Sequence, residues 1–298
     1  MSNLPNTRAK KITILGLIII NLIIWTAGFC LAQPFFQKTT KPLTIKLTPA
    51  AITNKTPANL LELPTTRPTT LNPKLTNAKE IPIINVAPIQ ETWDEVKKKM
   101  TIEPKEFERQ LVTLNKLHFT TYFVKDLPEL LTNYPTSAHP IILTFDDGYK
   151  NFYLDVYPLL QKYQMKATYY IINNLINHPD YISTNQLIEL SQSPLIEIGA
   201  HTLDHPHLST LPTEKVKIEI ERSKDELEKL LHQPILTFAY PYGDFNTTTL
   251  AIVKQAGFVA AVSTKYGILQ SLDNIFSLHR LRSGALMASD SYLTKLFN

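Results

Sequence analysis

From Ile81 onward, short apolar runs rich in β-branched residues alternate with helical segments, and no other feature of the chain constrains its fold as strongly. Residues 81–84, 141–145, 167–172, 195–198, 236–239 and 259–263 read as strands, because uninterrupted apolar runs suit a sheet covered on both faces. Helices are expected from Pro104 through Leu117, where Phe107, Leu111, Leu114 and Leu117 fall at helical spacing, and over residues 153–164, 184–191, 213–231 and 247–255. The third of these starts at a capping Ser or Thr. On the long Glu/Lys-rich helix, pairs such as Lys217 with Glu221 sit one turn apart and read as a solvated face. Alternation of this kind implies a parallel α/β sheet, either a barrel or an open doubly wound sheet. In both, chemistry gathers at the C-terminal ends of the strands.

The 298-residue chain is 44% hydrophobic and 19% charged, enough for one sizeable core plus attachments. Its net charge of +4 comes from scattered lysines and arginines, which argues against a nucleic-acid partner. Cys30 is the single cysteine, so an intrachain disulfide and a Cys-based zinc site are both excluded. Residues 1–32 read as a cytoplasmic tip and signal anchor. Arg8, Lys10 and Lys11 precede a charge-free run to Ala32, long enough to cross a hydrocarbon core of about 30 Å. The basic flank sets the cytoplasmic side, and the run exceeds the apolar stretch of a cleaved signal peptide. Residues 33–80, rich in Pro, Thr and Asn, lack apolar periodicity and read as an extended tether. Residues 81–298 are then a globular domain held outside the cytoplasm, in the periplasm or at the cell surface.

The strand 141–145 runs directly into Asp146, Asp147 and Gly148. Asp-Gly alone is a common turn, but carboxylates at the end of a buried strand are costly unless they bind something. His201 and His205 follow the strand 195–198, at a spacing that puts both imidazoles on one side of a helical turn. Tyr240-Pro241-Tyr242-Gly243 follows the strand 236–239. Two imidazoles and one carboxylate give three protein ligands with positions left open, the way catalytic zinc is held. Non-haem iron uses the same set. A second aspartate alongside favours hydrolysis over oxygenation, because hydrolysis needs a base for the attacking water. His207 reads as an exposed neighbour outside the metal set.

Thr144-Phe145-Asp146-Asp147-Gly148, His201-Thr202-Leu203-Asp204-His205 and Phe238-Ala239-Tyr240-Pro241-Tyr242-Gly243, in that order, resemble the polysaccharide deacetylases, the NodB-type enzymes of carbohydrate esterase family 4. Lys166-Ala167-Thr168-Tyr169-Tyr170, Glu197-Ile198-Gly199-Ala200 and Ala256-Gly257-Phe258 fit the same pattern. The branch most similar is that of the poly-N-acetylglucosamine deacetylases. The resemblance spans roughly residues 81–283 and implies a distorted (β/α) barrel with fewer than eight strands. It implies a metal-dependent hydrolase, zinc being favoured by ligand type, that removes N- or O-acetyl groups from an extracellular or cell-wall polysaccharide. By motif match, Asp146 is the general base, and Asp147, His201 and His205 hold the metal. The backbone N–H of Tyr242 serves the oxyanion, a contact typically worth about 3–4 kcal/mol, and Tyr240 and Pro241 fall at the substrate.

The pattern departs from the family in three places. The arginine many relatives keep two residues before the motif proline is Ala239 here. The Met-Tyr-His stretch of the nearest branch reads Asn85-Val86-Ala87, and the closing Leu-x-His reads Leu278-His279-Arg280. On a strand, His279 would point to the face opposite Arg280. The expectation is that Arg280 orients Asp146, which returns its captured proton to the leaving amine. The alternative is a glycan-binding or export-assembly protein on the same scaffold with little or no catalysis.

Overall fold

In this computed structural model the described residues are 77–88, 102–135 and 137–283. The anchor expected over residues 1–32, and the tether apart from its last four residues, lie outside them. Among the described residues no helix is long and apolar enough to cross a membrane.

The described chain opens with β1 (Lys79–Glu80) and β2 (Ile83–Val86), followed by α1 (Pro104–Lys116), β3 (Phe119–Tyr122) and α2 (Leu127–Thr132). Next come β4 (His139–Phe145), α3 (Tyr157–Tyr163), β5 (Ala167–Ile171), α4 (Thr184–Ser191), β6 (Ile196–Ala200), α5 (Thr213–Leu231), β7 (Thr237–Ala239) and α6 (Thr247–Gln255). β8 (Ala260–Tyr266), β9 (Leu269–Gln270) and β10 (Leu278–Ser283) complete it. Local chemistry accounts for the helix ends. Pro104 starts α1, where its missing N–H costs nothing. Ser183 and Gln186 form a capping box at α4. The segment ahead of α3 differs from the regular helix expected there. Phe152–Val156 is wound as a π-helix, and the α-helix begins only around Pro158, whose ring cannot sit deep inside a regular helix.

β1 and β9 form a small antiparallel pair at one edge. The main sheet has eight strands in the order β2-β10-β8-β7-β6-β5-β4-β3, and β2 also pairs with β4. Every pairing in it is parallel. The extra pairing closes the sheet on itself, as in a distorted barrel. Seven strands make the ring, fewer than eight as expected, and β3, paired along the first half of β4, extends the sheet to eight. β3 reads Phe-Thr-Thr-Tyr and lacks the apolar run that marks the others.

Alternation along each strand divides the core in two. Ile83, Ile142, Tyr170, Val262 and Leu278 pack inside the ring. Ile84, Leu143, Phe145, Ile198 and Phe238 face outward against helix residues such as Phe107, Leu187 and Ile220. α5 buries Val216, Ile220, Ser223 and Leu227 on one stripe, while Lys217–Glu221 and Arg222–Glu226 pairs line its solvated face, as expected.

Candidate active site

The strands of the ring all deliver their polar residues at one end. Beyond Phe145, Asp147 and Gly148 take left-handed backbone (φ 74° and 83°). This turn parts the two carboxylates. Asp147 reaches the histidines of the loop after β6, whereas Asp146 reaches back toward β10.

Asp147 Oδ1 lies 3.5 Å from both His201 Nε2 and His205 Nε2. That is too long for good hydrogen bonds, but it matches donors sharing one cation: ligands about 2.1 Å from a tetrahedral centre stand about 3.4 Å apart. One ligand atom from each of the three residues lies within 4.8 Å of the others, a set that could hold a metal ion. His201 is buried, and its Nδ1–H donates to the Ala239 carbonyl at 2.7 Å. That bond settles the tautomer and leaves the Nε2 lone pair facing the shared centre, as a metal-binding histidine usually does by giving its other N–H to a carbonyl or carboxylate. These observations fit a cation held by Asp147, His201 and His205.

Asp146 lies outside that set. Its carboxylate accepts a two-pronged bond from Arg280, with Nη1 2.9 Å from Oδ1 and Nη2 2.8 Å from Oδ2. Asn85 Nδ2 adds a third at 3.1 Å. Arg280 is 2% exposed and is itself fixed, Nε donating to Ser263 O at 2.8 Å and Nη1 to Thr144 Oγ1 at 3.1 Å. Burial pushes the Asp146 carboxyl up, but the Arg280 charge and hydrogen bonds, helped by His201 and Asn85, outweigh it and hold the group below its ordinary value. For His201 burial lowers the pKa, but the Asp147 carboxylate close by, the Asp146 charge and the Ala239 carbonyl outweigh it, leaving it raised. Burial and the neighbouring His201 lower that of His205.

Tyr242 sits at φ 59° in the turn after β7. That turn uses the N–H groups of Gly243 and Asp244, which donate to Tyr240 O and Pro241 O. The N–H of Tyr242 is not among them. The Tyr242 ring, 56% exposed, stacks on His207 at 3.9 Å and meets His205 at 4.5 Å. His207 is therefore a wall of the site and not a ligand. Its Nδ1 lies 3.7 Å from Asp244 Oδ2.

Tyr240 and Pro241, expected at the substrate, are buried instead. The Tyr240 ring packs on Phe238 and Phe245, and its hydroxyl donates to Phe276 O at 3.0 Å. Both residues shape the turn from beneath. His279, as expected of its place on β10, faces away, with Nδ1 3.2 Å from Leu269 O. Asn85 and Thr144 were not singled out as partners of this site from sequence. Both carry a weak signal, Asn85 its place in a departed motif and Thr144 its place at the head of the Thr144–Gly148 motif.

The motif region, residues 133–261, matches the family profile described as polysaccharide deacetylase. Over 194 residues the chain is 31% identical to the "Putative polysaccharide deacetylase YxkH" of Bacillus subtilis (strain 168); the match takes in 65% of this chain and 69% of that one. It is 26% identical over 211 residues to the poly-beta-1,6-N-acetyl-D-glucosamine N-deacetylase of Staphylococcus aureus (strain MRSA252), covering 65% of this chain and 70% of that enzyme. Among solved structures, the Streptococcus pyogenes deacetylase PplD in complex with acetate superposes with a TM-score of 0.68 at 30% identity, over 74% of this chain and 99% of that one.

Proposed function

We propose that this chain, which belongs to the polysaccharide deacetylase family, hydrolyses the acetamido groups of an N-acetylated polysaccharide outside the cytoplasm. The likeness to the staphylococcal N-deacetylase supports a β-linked N-acetylglucosamine polymer as the substrate. Asp147, His201 and His205 would hold a divalent cation, zinc by donor type. Such a cation, when bound, makes a water acidic near neutral pH and polarises a carbonyl.

The protein's own groups account for the remaining steps. Asp146 takes the proton of the attacking water as the water oxygen adds to the acetyl carbonyl carbon. Negative charge collects on the former carbonyl oxygen, where the Tyr242 N–H donates. The C–N bond then breaks and Asp146 passes its proton to the nitrogen, leaving acetate and a free amine. Arg280 aims the carboxylate and keeps it ionised between turnovers. In this reading residues 1–32 anchor the domain and the tether 33–80, less the two residues that form β1, lets it reach a polymer fixed near the membrane.

The observation that most supports the reading is a carboxylate tied to Arg280 and standing beside, but outside, a three-donor cation set. The test is acetate release from poly-β-1,6-N-acetylglucosamine, chitooligosaccharides and acetylated peptidoglycan by zinc-loaded protein. Release that chelator and Asp146→Asn both abolish is expected. Polymer binding with no release from any substrate would favour the non-catalytic glycan-binding alternative. Recovery of the full-length protein in the soluble fraction of disrupted cells would overturn the anchor.

A further inference from the structure

The loop that joins the two histidines is gripped by a carboxylate from another layer of the molecule. Glu219, on α5, accepts the N–H groups of Leu203 at 3.0 Å and Asp204 at 3.1 Å through one oxygen, Oε2. From the opposite side, the Asn173 and Asn174 N–H groups donate to Thr202 O and Leu203 O at 3.2 and 3.1 Å. Thr202 Oγ1 accepts the His205 N–H at 2.9 Å. The three peptides from Thr202 to His205 are thereby fixed.

The loop needs this hold. Thr202 and His205 sit at φ 69° and 58°, a region disfavoured for residues with a Cβ and kept only where surroundings over-determine it. If the loop relaxed, the His205 ring would turn away from Asp147. α5 is a firm base for the clamp, since its inner stripe is buried and Asn173 Nδ2 bonds Ser223 O at 3.0 Å on the same helix. Glu219 thus differs from the acids on the solvated face of α5, such as Glu221, which pairs with Lys217.

We infer that Glu219 is a positioning residue for the metal centre: by accepting two consecutive N–H groups of the loop, it presets His205 against Asp147 and His201 before a cation arrives. This rests on reading those three side chains as ligands. Carboxylate acceptors make the stronger hydrogen bonds, and losing an outer partner of a ligand typically weakens metal affinity about 10–100-fold.

Zinc affinity of the purified apo protein, measured by competition titration, tests this without reference to turnover. Glu219→Ala is expected to raise the Kd about 10–100-fold. Glu219→Gln, whose amide oxygen still accepts both N–H groups, recovers much of that loss. Glu226→Gln, which breaks an exposed pair with Arg222 on the same helix, leaves the Kd unchanged. Should Glu219→Ala not fold, Glu219→Asp, one methylene too short to reach, gives the same direction. Zinc bound by Glu219→Ala or Glu219→Asp within twofold of wild type would overturn the inference alone, as would equal weakening by Glu226→Gln. A wild type that takes up no zinc would overturn the ligand reading and this inference with it.

Discussion

Arg280 and Asp146, 134 residues apart, meet through two parallel hydrogen bonds of 2.8 and 2.9 Å inside the mouth of the ring. The guanidinium reaches the carboxylate from β10, a strand that β2 separates from β4, where Asp146 is attached. The pairing brings a fixed positive charge to the carboxylate from the direction opposite the histidines.

Arg280→Ala removes the charge that offsets burial, so the Asp146 carboxyl rises above its ordinary range. In the proposed mechanism Asp146 acts when ionised, so the acid limb of the pH–rate profile is expected to move to higher pH. Arg280→Lys, which cannot form the fork, recovers only part of the shift. Unchanged turnover and an unmoved acid limb in Arg280→Ala would dismiss its role.

Asp146→Asn keeps the shape of the site but removes the proton acceptor. A loss of about 10²–10⁴ in kcat is expected, with zinc affinity close to wild type because Asp146 is not in the three-donor set. Parallel kinetics and metal titration separate this from Asp147→Asn, which loses both.

Gly243→Ala tests the donor turn. A Cβ built at Gly243 would lie 2.0 Å from Thr264 Oγ1 and 2.5 Å from the Thr264 backbone N, at φ +70°. Backbone has to move, and the Tyr242 N–H moves with it. A drop in kcat of at least about tenfold follows, since displacements near 1 Å cost on the order of 10². Tyr242→Ala retains the N–H and loses only the ring stacked on His207, so its kcat falls less. The ranking of the two variants is the readout.

Glu197 carries a pH dependence of stability. Inside the ring it accepts from Thr168 Oγ1 at 2.6 Å, Thr237 Oγ1 at 2.9 Å and the Lys125 N–H at 3.3 Å, yet burial pushes its carboxyl from 4.5 up to about 7. The folded protein thus keeps a proton that the unfolded chain has lost. Stability is in full below about pH 4.5 and declines as pH rises to about 7, by on the order of 3 kcal/mol. Denaturant unfolding of Glu197→Gln between pH 5 and 8 should show that decline reduced or gone.

The candidate site was legible because it is written at strand ends. Asp146, Asp147, His201 and His205 each follow an apolar run, and a parallel sheet brings such ends together whatever their distance in sequence. Arg280 was legible through the histidine it replaces. The Glu219 clamp and the Ala239 carbonyl were not, because nothing local separates Glu219 from the other acids of α5 and a backbone carbonyl leaves no letter in the sequence. Tyr240 misled for a related reason: it stands beside Tyr242 in the motif, but the turn sends one ring into the core and the other into water. β3 escaped because Thr121, 8% exposed, spends its hydroxyl on the Lys166 N–H at 2.8 Å, so a polar letter occupies an interior position.

The seam of the ring has a consequence for how the molecule assembles. β10 slots between β8 and β2, so the last gap in the wall closes only when residues 278–283 arrive. Until then two strands keep bare flanks, and Asp146 is a charge without its counterweight. A chain stopped short of Leu278 would therefore lose the Arg280–Asp146 pair and its safeguard against sticking to other copies together, and the last strand among the described residues acts as the keystone.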